Sequence, residues 1–170
     1  MQNNFAKCLA FTLKYEGGFV NNPHDPGGAT NMGVTQETLS AYRKKAVSVQ
    51  DVKNLGLDEA SEIYKILYWN HINGDNLPSG VDLAVFDFAV NSGNSRAAHT
   101  LQNIIGVTAD GQIGPATISA VNSYSATNIA QSICDKRKEF LQSLSTFSVF
   151  GRGWIPRVNA CASTAIQMEG

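Results

Sequence analysis

Residues 79–92 are apolar on almost every side, and this stretch limits most strongly how the chain can fold. A helix without a polar face belongs in the centre of a domain, covered by other elements. Three polar residues interrupt the stretch, namely Asp82, Asp87 and Asn91. Asp82 lies in the first turn of the predicted helix, where the helix dipole stabilises a negative charge. Asp87 and Asn91 are four residues apart on one side, so they are either structural hydrogen-bonding groups or part of the floor of a cleft.

Helical periodicity predicts further helices on both sides of this central one. Their predicted ranges are 3–16, 35–45, 48–54, a segment that begins at Asp58, 95–105, a segment that begins at Pro115, 126–145 and 154–167. Thr35 and Asp58 are predicted to cap their helices, and Ser48 followed by Asp51 indicates the start of the helix 48–54. Gly151-Arg-Gly-Trp154 is predicted to break the chain before the last of them. The chain is therefore expected to be mainly α. Its 170 residues suffice for a core that is stable without disulfides or structural metal ions.

The charge of the chain argues against nucleic-acid binding. The net charge is −1, 16% of the residues are charged, and the only dense basic run is Lys136-Arg137-Lys138. Fifteen asparagines and fifteen glycines predict a polar, weakly charged surface, which suits a hydroxyl-rich ligand such as a sugar. No signal peptide is recognisable, and no run approaches the ~18 apolar residues of a membrane span. We expect synthesis in the cytoplasm, no stable membrane insertion, and export by another component if the substrate lies outside.

The cysteines and histidines do not form a metal-site pattern. Three cysteines are present, at Cys8, Cys134 and Cys161. Their wide and odd spacing argues against a disulfide framework and a zinc site, and their apolar neighbours in predicted helices indicate buried thiols. His24, Asp25 and His71 match none of the standard spacings of metal ligands. We therefore expect no metal and no cofactor.

A loop is predicted for residues 17–35. The stretch 16–35 contains five glycines and two prolines, which exclude a long helix or strand and require unusual backbone conformations. The helix before it ends at Glu16, and at about 100° per residue the eleven steps from Phe5 return to nearly the same direction, so Glu16 lies on the apolar face. Gly17 and Gly18 then stop the helix. Irregular segments held between regular elements commonly carry catalytic groups, which makes Glu16 and Asp25 the first candidates.

The surroundings of these two carboxyl groups suit a division between acid and base. A carboxyl group shielded among apolar residues keeps its proton more readily, and glycoside cleavage needs such a proton donor. Asp25 lies instead in a polar, glycine-rich turn, and Thr30 offers a hydroxyl that can hold water or a sugar group. Plainer interpretations exist, since a glutamate at a helix end is common and Asp-Pro-Gly-Gly can be simply a turn.

The run from Glu16-Gly-Gly to Asp25-Pro-Gly-Gly-Ala-Thr30-Asn-Met-Gly-Val-Thr35 resembles the signature of the glycosyl hydrolase 108 family. These are peptidoglycan-cleaving muramidases of phage endolysins and related bacterial proteins. The resemblance continues in Tyr68-Trp69 and in Asp87-Phe-Ala-Val-Asn91-Ser-Gly93. Downstream, Leu101-Gln102, Asp110-Gly-Gln-Ile-Gly114-Pro and Gly153-Trp154 resemble the predicted peptidoglycan-binding segment that usually follows.

The resemblance implies a mainly helical, lysozyme-like fold with a small β element in the loop 17–35. It also implies a catalytic lobe of residues 1–94 and a helical lobe of residues 95–170 that resembles a peptidoglycan-binding segment, and we expect the two lobes to form one compact unit. The expected reaction is hydrolysis of the β-1,4 bond between N-acetylmuramic acid and N-acetylglucosamine. The family's catalytic glutamate falls on Glu16, as general acid. Glu16, Asp25 and Thr30 also resemble the set of phage-type lysozymes, with the threonine one residue early, which makes Asp25 the base or water-positioning group and Thr30 an assistant.

Four residues are candidates for saccharide contact, namely Tyr68, Trp69, Asn91 and Trp154. The aromatic rings would offer flat faces and Asn91 its amide, and core packing is at least an equal alternative for both tryptophans. One rival function is lytic transglycosylase action with Glu16 alone. Another is a catalytically silent peptidoglycan-binding protein of a phage particle or secretion apparatus. The expected partners are peptidoglycan strands, with a holin or a dedicated secretion route for export.

Overall fold

A computed structural model describes residues 4–22 and 28–168, and over this range the chain is mainly α-helical. A two-stranded antiparallel sheet lies in the loop before the second helix, which confirms the predicted mainly α fold with a small β element. The chain forms two compact units. We call Leu9–Leu67 the first unit, and Met1–Cys8 together with Tyr68–Gly170 the second unit.

Helix α1 (Phe5–Glu16) contributes residues to both units. The first unit continues with β1 (Thr30–Asn31), β2 (Val34–Thr35), α2 (Gln36–Arg43), α3 (Val49–Lys53) and α4 (Leu57–Tyr64), and a π-helical segment (Lys65–Trp69) follows α4. The second unit contains a 3-10 turn (Gly74–Asn76), α5 (Val81–Ser92), α6 (Asn94–Ile105), α7 (Pro115–Val121), α8 (Ala126–Gln142) and α9 (Phe147–Met168).

Side-chain caps set the starts of the short helices in the first unit. The Thr35 hydroxyl accepts a hydrogen bond from Thr38 N at 3.1 Å, which confirms Thr35 as the cap of α2. Ser48 and Asp51 form a complete capping box at α3, also as predicted. The prediction that Asp58 caps the next helix is wrong, because α4 already begins at Leu57 after the extended residue Gly56.

Helix α5 is the centre of the second unit, as its composition predicts. Every residue from 81 to 89 is buried, and α5 packs against α6, α8 and α9. Asp82 tolerates this burial because its carboxylate accepts hydrogen bonds from the backbone N–H groups of Gly80 and Leu83, at 2.8 and 2.7 Å. The Asn4 amide donates a third at 2.9 Å. Burial nevertheless raises the pKa of Asp82, since desolvation outweighs these bonds.

The predicted break at Gly151-Arg-Gly-Trp154 is wrong. Helix α9 runs without interruption from Phe147 to Met168 and includes both glycines and Pro156. Gly151 is buried against the ring of Phe147, where a β-carbon would lie 2.6 Å from Phe147 Cε2. Because α9 packs along α8, tertiary contacts outweigh the low helix propensity of its first half.

Two further expectations concern the lobe boundary and the thiols. Helices α5 and α6 lie on either side of Gly93, belong to the same unit and pack against each other. The division into lobes 1–94 and 95–170 stays a prediction. Cys8, Cys134 and Cys161 are all free and buried, which confirms the predicted buried thiols.

Candidate active site

Glu16 is the last residue of α1, and its side chain is half-buried. Leu9 and Thr12, which precede it at helical spacing, are 4% and 0% exposed, so the predicted apolar face of α1 is confirmed. Gly17 follows with φ +75°, in the left-handed region, and ends the helix as predicted. The carboxyl group of Glu16 is thus held at the end of a helix whose buried face anchors it.

The turn between β1 and β2 packs directly against Glu16. A β-carbon built on Gly33 would lie 3.0 Å from Glu16 Oε2 and 2.3 Å from the Tyr64 hydroxyl. Tyr64, from α4, is 2% exposed, and its hydroxyl donates to the carbonyl oxygen of Met32 at 2.9 Å. The Glu16 side chain, a buried tyrosine hydroxyl and the β turn therefore meet at Gly33. The sequence alone does not indicate a role for Tyr64 or Gly33, although Gly33 lies within the motif.

We expect Gly33→Ala to destabilise the protein and to disturb Glu16. The residue has φ +74°, which costs an alanine about 1–2 kcal/mol, and its β-carbon would collide with the Tyr64 hydroxyl. The midpoint of urea unfolding should fall, and peptidoglycan cleavage should fall with it.

Gly17→Ala and Gly18→Ala are matched controls in the same loop. Neither added β-carbon meets an atom within 4 Å, and only Gly17 has a positive φ. Gly17→Ala therefore shows the backbone effect without the collision, and Gly18→Ala shows neither. If Gly33→Ala is no more damaging than Gly17→Ala, the packing of Gly33 against Tyr64 and Glu16 has no energetic weight.

Thr30 lies on β1, in the same unit as Glu16. Its backbone exchanges two hydrogen bonds of 2.8 Å with Val20, and it stands opposite Thr35 in the sheet. The next residue, Asn31, is buried and donates from its amide to the carbonyl oxygens of Val52 and Lys53 at the end of α3. Thr30 is therefore held in a fixed strand. Asp25 lies outside the described residues, so its predicted role stays a prediction.

The predicted saccharide contacts lie in the second unit. Trp69 is 1% exposed and packs against Phe5 and Phe86, whose ring centroids lie 5.3 and 5.5 Å from its own. Its indole N–H donates to Asp75 at 3.0 Å, so Trp69 has the surroundings of a core residue. Tyr68, Asn91 and Trp154 are half-buried and retain accessible surface. The Trp154 ring stacks on the ring of the exposed Phe150, with the two centroids 5.5 Å apart.

Asp87 is the other conspicuous carboxylate of the sequence, and it is structural. It is fully buried between Arg137, whose Nη1 donates at 2.7 Å, and Arg157, whose Nη2 donates at 2.8 Å. Burial alone would raise the pKa of Asp87, but the two guanidinium groups lower it further than burial raises it. This ion cluster joins α5, α8 and α9. Of the two roles considered for Asp87, a structural hydrogen-bonding group or part of a cleft floor, the contacts support the structural one.

The described residues hold no obvious site for a metal. Across 4–22 and 28–168, no three His, Cys, Asp or Glu side chains come together as metal ligands would. Within the same ranges, no helix combines the length and apolar character required to cross a membrane.

Comparisons with known proteins agree with the motifs. Residues 9–93 match the family model described as "Glycosyl hydrolase 108", and residues 96–159 match the one described as "Predicted Peptidoglycan domain". Among solved structures, the chain is similar to SagA of Brucella abortus, with 46% identity and a TM-score of 0.87. That match covers 99% of this chain and 97% of SagA. The curated proteins contain no match to the chain.

The family match spans Glu16, the β element and Tyr64, which are the parts of the first unit that meet around Gly33. The second match spans α6 to the first half of α9. This protein belongs to the glycosyl hydrolase 108 family and has its lysozyme-like, mainly α fold, so it is a glycosidase that acts on peptidoglycan.

Proposed function

We propose that the protein is an N-acetylmuramidase that hydrolyses the β-1,4 bond between N-acetylmuramic acid and N-acetylglucosamine, with Glu16 as general acid. The observation that carries this proposal is the placement of Glu16 at the end of α1, against Gly33 and beside the buried Tyr64 hydroxyl. A general acid must be held in one position to protonate the leaving oxygen, and a helix end packed on a β turn holds it.

Asp25 is proposed as the second carboxylate. Inverting glycosidases use such a group as a base that activates water, about 6.5–9.5 Å from the acid, and retaining enzymes place a nucleophile at about 5–5.5 Å. The spacing of Glu16 and Asp25 in the sequence supports the assignment. Thr30, fixed in β1, is proposed to hold the water or a sugar hydroxyl near these groups.

Tyr68, Asn91 and Trp154 are proposed as saccharide contacts because they keep accessible surface. Trp69 is omitted from this proposal because its side chain is buried and packs against Phe5 and Phe86. Its role is to build the core of the second unit.

Product analysis tests the proposed bond and reaction. Purified sacculi are digested with the protein, the fragments are reduced with borohydride, and their ends are identified by mass spectrometry. A muramidase gives fragments that end in reduced N-acetylmuramic acid. Ends in reduced N-acetylglucosamine would contradict the proposed bond, and anhydromuramic ends would show lytic transglycosylase action instead of hydrolysis. Release of no fragments, together with binding to sacculi, would favour a silent binding protein.

A further inference from the structure

Helix α6 in the second unit has one buried face and one polar, accessible face. Its buried residues are Ala97, Ala98, Leu101, Gln102 and Ile105. The opposite face carries Arg96, His99, Thr100 and Asn103, at the i, i+3, i+4 and i+7 spacing of a single helix side. With 12 residues, α6 is about 18 Å long. An accessible face of this length suits an extended ligand better than a small compact one.

Three adjoining cavities follow this face. The largest, about 600 Å³, is lined by residues 92–96 and by His99, Thr100 and Asn103. A second, about 320 Å³, shares Asn94 with it and is lined by Gln112 on the other side. A third, about 340 Å³, shares Thr100 and Asn103 and reaches Lys136 of α8. Neighbouring cavities share lining residues and therefore adjoin one another along α6, and we call the three together the α6 groove.

Residues 111–114 form a loop that lines part of the α6 groove. Hydrogen bonds from the buried Gln102 hold this loop in place. The amide of this buried residue donates to Asp110 Oδ1 at 2.7 Å and to the carbonyl oxygen of Gln112 at 3.0 Å. Its own carbonyl oxygen accepts from Gly111 N at 2.9 Å. Gly111 lies so close to α6 that a β-carbon there would be 2.7 Å from His99 Cε1. A wall held in this way loses little entropy when a ligand binds.

Helix α8 lines another part of the α6 groove, through Lys136, Glu139 and Phe140. The Arg96 guanidinium lies over the ring of Phe140, 3.9 Å from its centroid, which orients the charged group beside the groove. Lys136 forms an ion pair of 2.8 Å with Glu139, so its charge is already balanced. Arg96 is therefore the cation of the groove that has no acidic partner among the residues lining it.

Most of the other polar lining groups are neutral donors and acceptors. Asn94, Asn103 and Gln112 offer amides, and Thr100 offers a hydroxyl. The His99 Nδ1 lies 2.7 Å from the backbone carbonyl oxygen of Ser95, which can only accept, so Nδ1 donates to it. This set fits a ligand rich in hydroxyl and amide groups with occasional carboxylates. It lacks the several cations that a nucleic acid requires.

We infer that the α6 groove binds a peptidoglycan strand, with the glycan along α6 and a carboxylate of the muramic acid or stem peptide paired with Arg96. The strand supplies hydroxyls, N-acetyl amides and carboxylates, which match the lining. Most of the lining residues also fall within the segment 96–159 that matches the peptidoglycan domain. The inference deepens the proposed function and rests on it for the identity of the polymer.

Co-sedimentation with purified sacculi tests the inference, in a Glu16→Gln background so that the polymer stays intact. Arg96→Ala should weaken binding roughly tenfold, the effect of losing one charged hydrogen bond. Asn103→Trp should weaken it at least as much, because the ring fills the groove. Arg152→Ala and Asn128→Trp are matched controls, since both residues are exposed and lie outside the groove. Thermal unfolding of each variant shows that the fold is intact.

Chitin oligosaccharides, which lack carboxylates, separate the two parts of the inference. Asn103→Trp should weaken their binding, whereas Arg96→Ala should not. Binding to sacculi by both groove variants at the level of the controls would overturn the inference, and an equal loss on chitin for Arg96→Ala would overturn the carboxylate pairing. The proposed function fails separately, if the protein with Glu16 intact releases no fragments from sacculi that it binds through the groove.

Discussion

Replacement of Glu16 by glutamine is expected to lower the rate of peptidoglycan cleavage by about 10²–10⁴-fold, the usual contribution of a general acid. Glutamine keeps the shape of the side chain and its packing against Gly33, but it has no proton of suitable acidity for the leaving glycosidic oxygen. The loss of turbidity of purified sacculi, together with the fragments released, measures the rate. Binding to sacculi should persist, because the substitution removes a proton and not a contact surface.

Glu37→Gln is the matched control for Glu16→Gln. Glu37 lies in the first turn of α2, in the same unit, and is exposed. Its replacement should leave the rate unchanged. Wild-type activity in Glu16→Gln would remove Glu16 from the mechanism. Asp25→Asn in the same assay tests the second carboxylate, since a hydrolase that activates water through Asp25 should lose most of its activity, whereas a transglycosylase should keep it.

Asp87→Asn is expected to have the largest effect on stability, a loss of about 3–5 kcal/mol in the free energy of unfolding. The asparagine removes the negative charge that the buried guanidinium groups of Arg137 and Arg157 both contact. Urea unfolding followed by circular dichroism measures the loss. Asp135→Asn is the control, because Asp135 is an exposed residue of α8 whose ion pair with Lys138 lies at the surface. Equal stability of the two variants would show that the buried cluster adds nothing.

The same cluster predicts a dependence of stability on pH. The guanidinium groups hold the pKa of Asp87 below its ordinary value in spite of burial. A depressed pKa gives stability that is fully present above the unfolded value of about 3.9 and is lost as the pH falls through the lower folded value. The wild type should therefore lose stability in this acidic window, and Asp87→Asn should show a weaker dependence there. Asp82, whose pKa burial raises, contributes with the opposite sign.

Much of the first unit could be predicted because its determinants are local. The phase of α1, its end at Gly17 and the caps Thr35 and Ser48 depend on residues within one or two helical turns of each other. The apolar character of α5 likewise required only its own residues. The run from Glu16 to Thr35 was also long enough to indicate the family, which the family match confirms.

The contacts that decide the roles of single residues are not local. Asp87 meets partners 50 and 70 positions further along the chain, and no spacing rule distinguishes Arg137 from the two lysines beside it. Trp69 became a core residue through Phe5 and Phe86, and α9 kept its glycines and proline because it packs along α8.

The sequence by itself therefore determined the fold class, the family and Glu16 as the first candidate for catalysis, since these follow from periodicity and a contiguous motif. Only the tertiary structure decided what packs against Glu16, that Asp87 is an ion-cluster residue and that the polar face of α6 is a groove. Each of these depends on side chains that are distant in sequence and become neighbours only through packing.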